Sequence, residues 1–174
     1  MAIVVFLRGV NVGGHRRFRP AALAKQLDRY GVINVGATGL FVVLNPGPLR
    51  EFRAELARRL PFETELAICE GREILALAGN EFFGEEAFAP DVIPFVSVLC
   101  AKTKTRLPKL PLGIPSDDDW YVRILGQNGR FVFGIYRRHM KTIGYLGKID
   151  KALRVPVTTR NWNTIAAVMK VLKK

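Results

Sequence analysis

The fold turns on Ala2-Ile3-Val4-Val5-Phe6-Leu7, followed by Arg8-Gly9-Val10-Asn11-Val12-Gly13-Gly14. The first six residues form an apolar, β-branched run, the pattern of a buried strand. The Gly- and Arg-rich segment to Arg19 reads as a loop. Pro20 then suits the first position of a helix. Leu23, Leu27 and Tyr30 recur at helical spacing, and Gly31 is a natural stop. Val32 to Val35 and Leu40 to Leu44 read as two further strands around a turn at Thr38-Gly39. Asn45-Pro46-Gly47 breaks the chain. Leu49, Phe52, Leu56 and Leu60 line one side of an amphipathic helix whose other side is charged. Pro61 ends it, and Phe62 to Glu70 resembles a strand. The order β-α-β-β-α-β is the split-βαβ, or ferredoxin-like, pattern.

The second half is less regular. A helix near residues 72–79 leads into the aromatic segment Phe82, Phe83 and Phe88. Phe95 to Ala101 reads as a strand, and residues 102–115, rich in Pro and Lys, as an exposed loop. Trp120–Leu125 and Phe131–Tyr136 flank Asn128-Gly129, a strong hairpin signal. Gly147 to Arg154 suggests a short helix. The last helix begins near Asn161 and carries Ile165, Val168, Met169 and Leu172 on one face. The expected fold is therefore α+β in two α/β subdomains. Residues 1–71 form the ferredoxin-like half. Residues 72–174 form the second, whose C-terminal helix packs back on the first.

Composition agrees. The chain has 174 residues, 49% hydrophobic and 24% charged, enough for a real core and far from a disordered composition. Two cysteines and two histidines cannot build a disulfide framework or a zinc site, so no metal and no cofactor are expected. No apolar run approaches the roughly 20 residues that span a bilayer, so no membrane partner is expected. The opening residues lack the basic stretch of a signal peptide, which points to the cytoplasm. The net charge is +12, which favours anionic partners. It is uneven: residues 1–60 hold ten basic and three acidic groups, and residues 137–174 hold ten and one. If the two ends meet, they make one positive face.

Three constellations could carry chemistry. Arg8 and the glycine loop can turn backbone amides toward a phosphate or carboxylate, with Arg16, Arg17 and Arg19 neutralising it. The spacing is neither Gly-x-Gly-x-x-Gly nor a P-loop, and the glycines by themselves are better explained by a tight connection that needs positive φ angles. Thr158-Thr159-Arg160-Asn161-Trp162-Asn163-Thr164 opens the last helix, where free amides and an Arg suit an anion. One polar side chain suffices for capping; this segment has six. The third is the basic stretch Arg137, Arg138, Lys141, Lys148, Lys151 and Arg154, a solvated face or a phosphate-contacting surface with Tyr136 and Tyr145 as stacking partners. Asp117-Asp118-Asp119, Cys69, Cys100 and His15 are weaker candidates.

The two terminal motifs together resemble the bacterial domain of unknown function 1697 family. The resemblance runs in order from the Leu7–Gly14 loop to the Arg160-Asn161-Trp162-Asn163-Thr164 helix start. It implies a small α+β protein of two α/β subdomains and implies no activity. The chain departs from the family at Thr38-Gly39-Leu40, where relatives carry Ser-Gly-Asn. Leu40 offers no side-chain hydrogen bond, so a site using that turn would be altered. Arg19-Pro20 also replaces a more usual basic-plus-Met pair.

The expected function is binding of a small phosphate- or carboxylate-bearing ligand. Arg8, Asn11, Gly13, Gly14, Arg160, Asn161, Trp162 and Asn163 would line the pocket. The alternative is a nucleic-acid-binding module using the basic C-terminal surface, and a third reading is a purely structural role. No nucleophile–base pair is legible, so no catalytic residue and no reaction are assigned, and the sequence does not give the oligomeric state.

Overall fold

The computed structural model of the chain describes residues 1–10, 17–101 and 108–174. It is α+β, and it divides into two compact units: residues 1–78 with 166–174, and residues 79–165.

The first unit is built on an antiparallel sheet of β1 (Ile3–Leu7), β2 (Val32–Asn34), β3 (Leu40–Val43) and β4 (Leu66–Glu70), in the order β2-β3-β1-β4. All five residues of β1 are buried, as its unbroken apolar run requires of a central strand. Val5 lies between Phe41 and Ile68 on the neighbouring strands. α1 (Pro20–Gln26) takes Pro at its start, and a 3-10 turn at Asp28–Tyr30 follows it, closed by Gly31 at φ 61°. α2 (Leu49–Arg59) buries Phe52 and Leu56 and meets Tyr30 edge-on, with ring centroids 5.1 Å apart. α3 (Gly71–Ala76) starts where Glu73 reaches back to accept the Glu70 backbone N–H at 2.7 Å.

The charged side of α2 converges on one carboxylate. Arg58 and Arg59 both donate to Glu55, at 2.7 and 2.6 Å, and Arg29 stands 4.0 Å away. Hydrogen bonds from Arg58 and then Arg59 pull the Glu55 carboxyl down to about 2 from its ordinary 4.5. A group depressed on folding adds stability that is present above its unfolded value and lost as pH falls through the folded one.

The second unit contains β5 (Val92–Leu99), β6 (Leu112–Pro115), β7 (Trp120–Asn128), β8 (Phe131–Arg137) and β9 (Val157–Asn161). They form one antiparallel sheet in the order β6-β7-β8-β5-β9. The Asn128-Gly129 hairpin joins β7 to β8, with Gly129 at φ 56°. α4 (Thr142–Leu146) and α5 (Ile149–Leu153) connect β8 to β9, and a 3-10 turn at Glu85–Phe88 precedes β5. α6 (Trp162–Leu172) belongs to both units, since the division falls after Ile165. Its buried Ile165, Val168 and Met169 lie on the expected face.

One expectation needs correction. Residues 102–115 are not one exposed loop: 102–107 lie outside the described residues, and Leu112–Pro115 pairs with β7. The prolines sit at its margins, Pro111 just before it and Pro115 at its end beside a register shift, on a sheet edge where Pro is tolerated.

β5 lies between β8 and β9, and Gly134 of β8 faces Phe95 of β5. A Cβ at residue 134 would clash with the edge of the Phe95 ring and lie 2.7 Å from the Arg123 carbonyl oxygen. Gly134→Ala should therefore destabilise by about 1–3 kcal/mol through overpacking, read as a lowered urea midpoint. Acidification from pH about 4.5 toward about 2 should lower the melting temperature, and Glu55→Gln should remove part of that dependence.

Candidate functional site

The end of β9 and the start of α6 form the site's frame. Val157, Thr158 and Thr159 are β-branched and take strand geometry opposite β5. This corrects the expectation that Thr158 to Thr164 opens the last helix as a block. The segment through Asn161 is strand, so the backbone of Thr158, Thr159 and Arg160 lies in the ladder rather than offering free helical amides. Thr159 Oγ1 and Ser97 Oγ share a hydrogen bond of 2.6 Å across the two strands.

Asn161 is the hinge between the two elements. It pairs with Phe95 as the last rung of β9. Its Oδ1 accepts the Thr164 backbone N–H at 2.9 Å and the Thr164 hydroxyl at 2.8 Å, an N-cap on α6. Arg160 donates from Nη1 to the Thr159 carbonyl at 2.8 Å. Burial lowers its guanidinium to about 10, against a smaller opposing influence from Cys100, so it remains charged at neutral pH.

Beyond the cap, Asn161, Trp162 and Asn163 line an open cavity of about 470 Å³. The opposite side is formed by residues 87–90 and the first residues of β5, including Phe88, Pro90 and Pro94. Arg138, exposed just after β8, supplies the cation. Phe83 holds this wall in place: it meets Trp162 edge-on at 5.3 Å and Phe88 at 6.3 Å. Phe88 itself is 62% exposed, an apolar ring open to whatever enters. The site thus pairs aromatic and proline walls with one guanidinium, two side-chain amides and the start of a helix. That set suits a small anion with an apolar or planar body.

The other expected residues lie elsewhere or outside view. Asn11, Gly13 and Gly14 fall outside the described residues, as do His15 and Arg16. Arg8, at the end of β1, pairs with Glu65 at 2.7 Å, and its carbonyl accepts the Thr64 hydroxyl at 2.6 Å. Its charge is therefore partly answered within its own unit. Arg138 and Phe88 were not singled out for the pocket by sequence reading. Arg138 was one of six cations in a run and Phe88 one of three aromatics, and only the sheet order marks them out. Among the described residues no group of three His, Cys, Asp or Glu side chains could hold a metal ion. No helix among the described residues is long and apolar enough to cross a membrane.

Two of the six cations of the basic stretch, Arg137 and Lys148, lie against aromatic rings, and Arg138, Lys141, Lys151 and Arg154 are exposed. Arg137 and Arg123 each lie 4.3 Å from the Trp120 ring. Tyr121 stacks on Tyr145 at 5.2 Å with an interplanar angle of 1°, and Lys148 Nζ sits 4.5 Å from the Tyr145 ring. Tyr136 packs near Phe95 at 6.0 Å.

No protein-family model matches the chain, and no curated protein matches it. Among solved structures it is similar to the conserved bacterial protein SP0830 from Streptococcus pneumoniae. That similarity has a TM-score of 0.58 and 15% identity and covers 98% of each chain. At that identity it shows a shared fold.

Asn161→Ala should cost about 1 kcal/mol by removing the cap, seen as a lowered melting temperature. Asn163→Ala, at an exposed position, should leave the melting temperature unchanged.

Proposed function

We propose that the chain binds a small phosphate- or carboxylate-bearing molecule in the cavity at the start of α6. The observation that carries this reading is the convergence of Arg138, Asn161, Trp162 and Asn163 on one opening of about 470 Å³. The anion sits against Arg138 and the Asn163 amide, and the rest of the ligand against Phe88 and Trp162. Arg160 is a supporting residue in this reading: it lies in β9 and steadies the strand that presents Asn161. The glycine loop, with Arg8, Asn11, Gly13 and Gly14, is proposed as a second anion-seeking element. The setting proposed is the cytoplasm. We keep two further proposals with it: membership of the domain of unknown function 1697 family, on the two terminal motifs, and a ferredoxin-like first unit, supported by the β2-β3-β1-β4 order.

The nucleic-acid reading is less well supported, because Tyr136 and Tyr145, the aromatics it would use for stacking, already pack against other rings. Salt separates the two. A ligand held through one anionic contact should lose about threefold to fourfold in affinity between 50 and 200 mM salt, whereas six to ten phosphate contacts lose about 10³–10⁵.

Titration with inorganic phosphate and with a nucleoside monophosphate, followed by Trp fluorescence, tests the site. Arg138→Ala should weaken binding by about ten- to a hundredfold, the worth of one charge-assisted contact, with no change in melting temperature. Binding unaffected by Arg138→Ala would overturn the proposal.

A further inference from the structure

The turn after β8 carries two large apolar side chains that the protein leaves uncovered. Met140 is 92% exposed and Ile143 is 74% exposed. The turn is closed by its own polar groups. Buried Thr142 donates its hydroxyl to the Arg137 carbonyl at 2.6 Å and its N–H to the His139 carbonyl at 3.0 Å. The Lys141 N–H donates to His139 Nδ1 at 3.1 Å. Those bonds turn inward at Thr142 and leave Met140 and Ile143 pointing out. Behind them lies a stack: His139 lies 4.9 Å from Tyr121, which is stacked on Tyr145, with Lys148 over the far ring. His139 and Tyr145, on either side of the pair in sequence, are thus both tied to Tyr121 of β7.

Positive charge predominates on the segment that carries the pair, with exposed Asp91 beside Arg138, whose N–H the Asp91 carbonyl accepts at 2.8 Å. Arg138, Lys141, Lys148, Lys151 and Arg154 are all exposed. The one acid between residues 137 and 154 is Asp150, half-buried, whose Oδ1 accepts the Val157 N–H at 3.2 Å. An apolar tip within a field of cations fits a partner with an anionic skin over an apolar layer. We propose that this turn docks on the surface of an anionic lipid bilayer. Met140 and Ile143 enter the boundary between headgroups and acyl chains, and Lys141 and Lys148 lie over the lipid phosphates.

Two observations favour lipid over the other anionic partners. A nucleic-acid backbone offers no apolar layer for Met140 and Ile143, and the nearby tyrosines already stack on each other. Side chains exposed to this degree project from the surface, so a protein partner would need a matching socket, whereas a bilayer needs none. This surface adjoins the proposed ligand cavity at Arg138, but Met140, Lys141, Ile143 and Lys148 do not line that cavity. The expectation of no membrane partner rested on spanning length, which the proposal leaves intact.

The test is co-sedimentation of the full chain with phosphatidylcholine vesicles, with and without about a third phosphatidylglycerol, at about 0.15 M salt. The expected result is binding to the anionic vesicles alone, weakened at least about tenfold by M140S/I143S and about tenfold or more by K141Q/K148Q. The melting temperature should not move with M140S/I143S, and K141Q/K148Q gives up only the exposed Lys148–Tyr145 contact. No binding to either vesicle would overturn the proposal. So would binding that M140S/I143S leaves unchanged, which would be the undirected attraction of a +12 protein. A selective loss of single-stranded RNA binding in M140S/I143S, without effect on vesicles, would assign the turn to nucleic acid and overturn it as well. Because Arg138 is untouched, failure here leaves the ligand titration standing, and the reverse holds too.

Discussion

Residue 134 must have no side chain. Phe95 occupies that space, fully buried, in the middle of the five-stranded sheet. With Phe95 seated there, β5 lies in register with β8 on one side and β9 on the other. That register fixes what emerges at the strand ends. Arg137 pairs with Val92, so Arg138 leaves β8 beside the start of β5. Asn161 pairs with Phe95, so the cap of α6 arrives at the same end. The candidate cavity is the consequence of three adjacent strands ending together, a recurrent way for sheets to present polar groups on rigid supports.

How much of this was legible depends on the signal each residue gives. The unbroken apolar run of β1, the spacing of Phe52 and Leu56, and the Asn128-Gly129 pair each have one reading, because burial on two faces, helical periodicity and positive φ leave few alternatives. Leu112–Pro115 was hidden by its prolines, which are tolerated only because the strand lies at an edge. Thr158–Arg160 gives a mixed signal for another reason. Polar Thr and Asn suggest a cap, and the β-branching of the threonines signals a strand; both apply, in succession, and Asn161 is where one gives way to the other. Arg138 and Phe88 have no local signature, since their significance comes from strand order, which composition does not encode.

The protein's cations are not interchangeable. Arg58 and Arg59 are tied to Glu55, Arg8 to Glu65, and Arg123 and Arg137 to Trp120. Guanidinium groups serve here as structural donors and as covers for an indole ring, roles suited to their planar shape. The net charge therefore overstates the free positive field, and exposed residues such as Arg138 and Lys141 carry more of it than the total implies.

The first unit takes its last nine residues from the far end of the chain, after the whole of the second. During synthesis the strands of the first sheet emerge early, yet their unit stays incomplete until residues 166–174 have been made. The second unit, residues 79–165, is contiguous and closes before then. The second unit is thus complete in sequence before the first, and removal of residues 166–174 would be felt by the unit that residues 1–78 build.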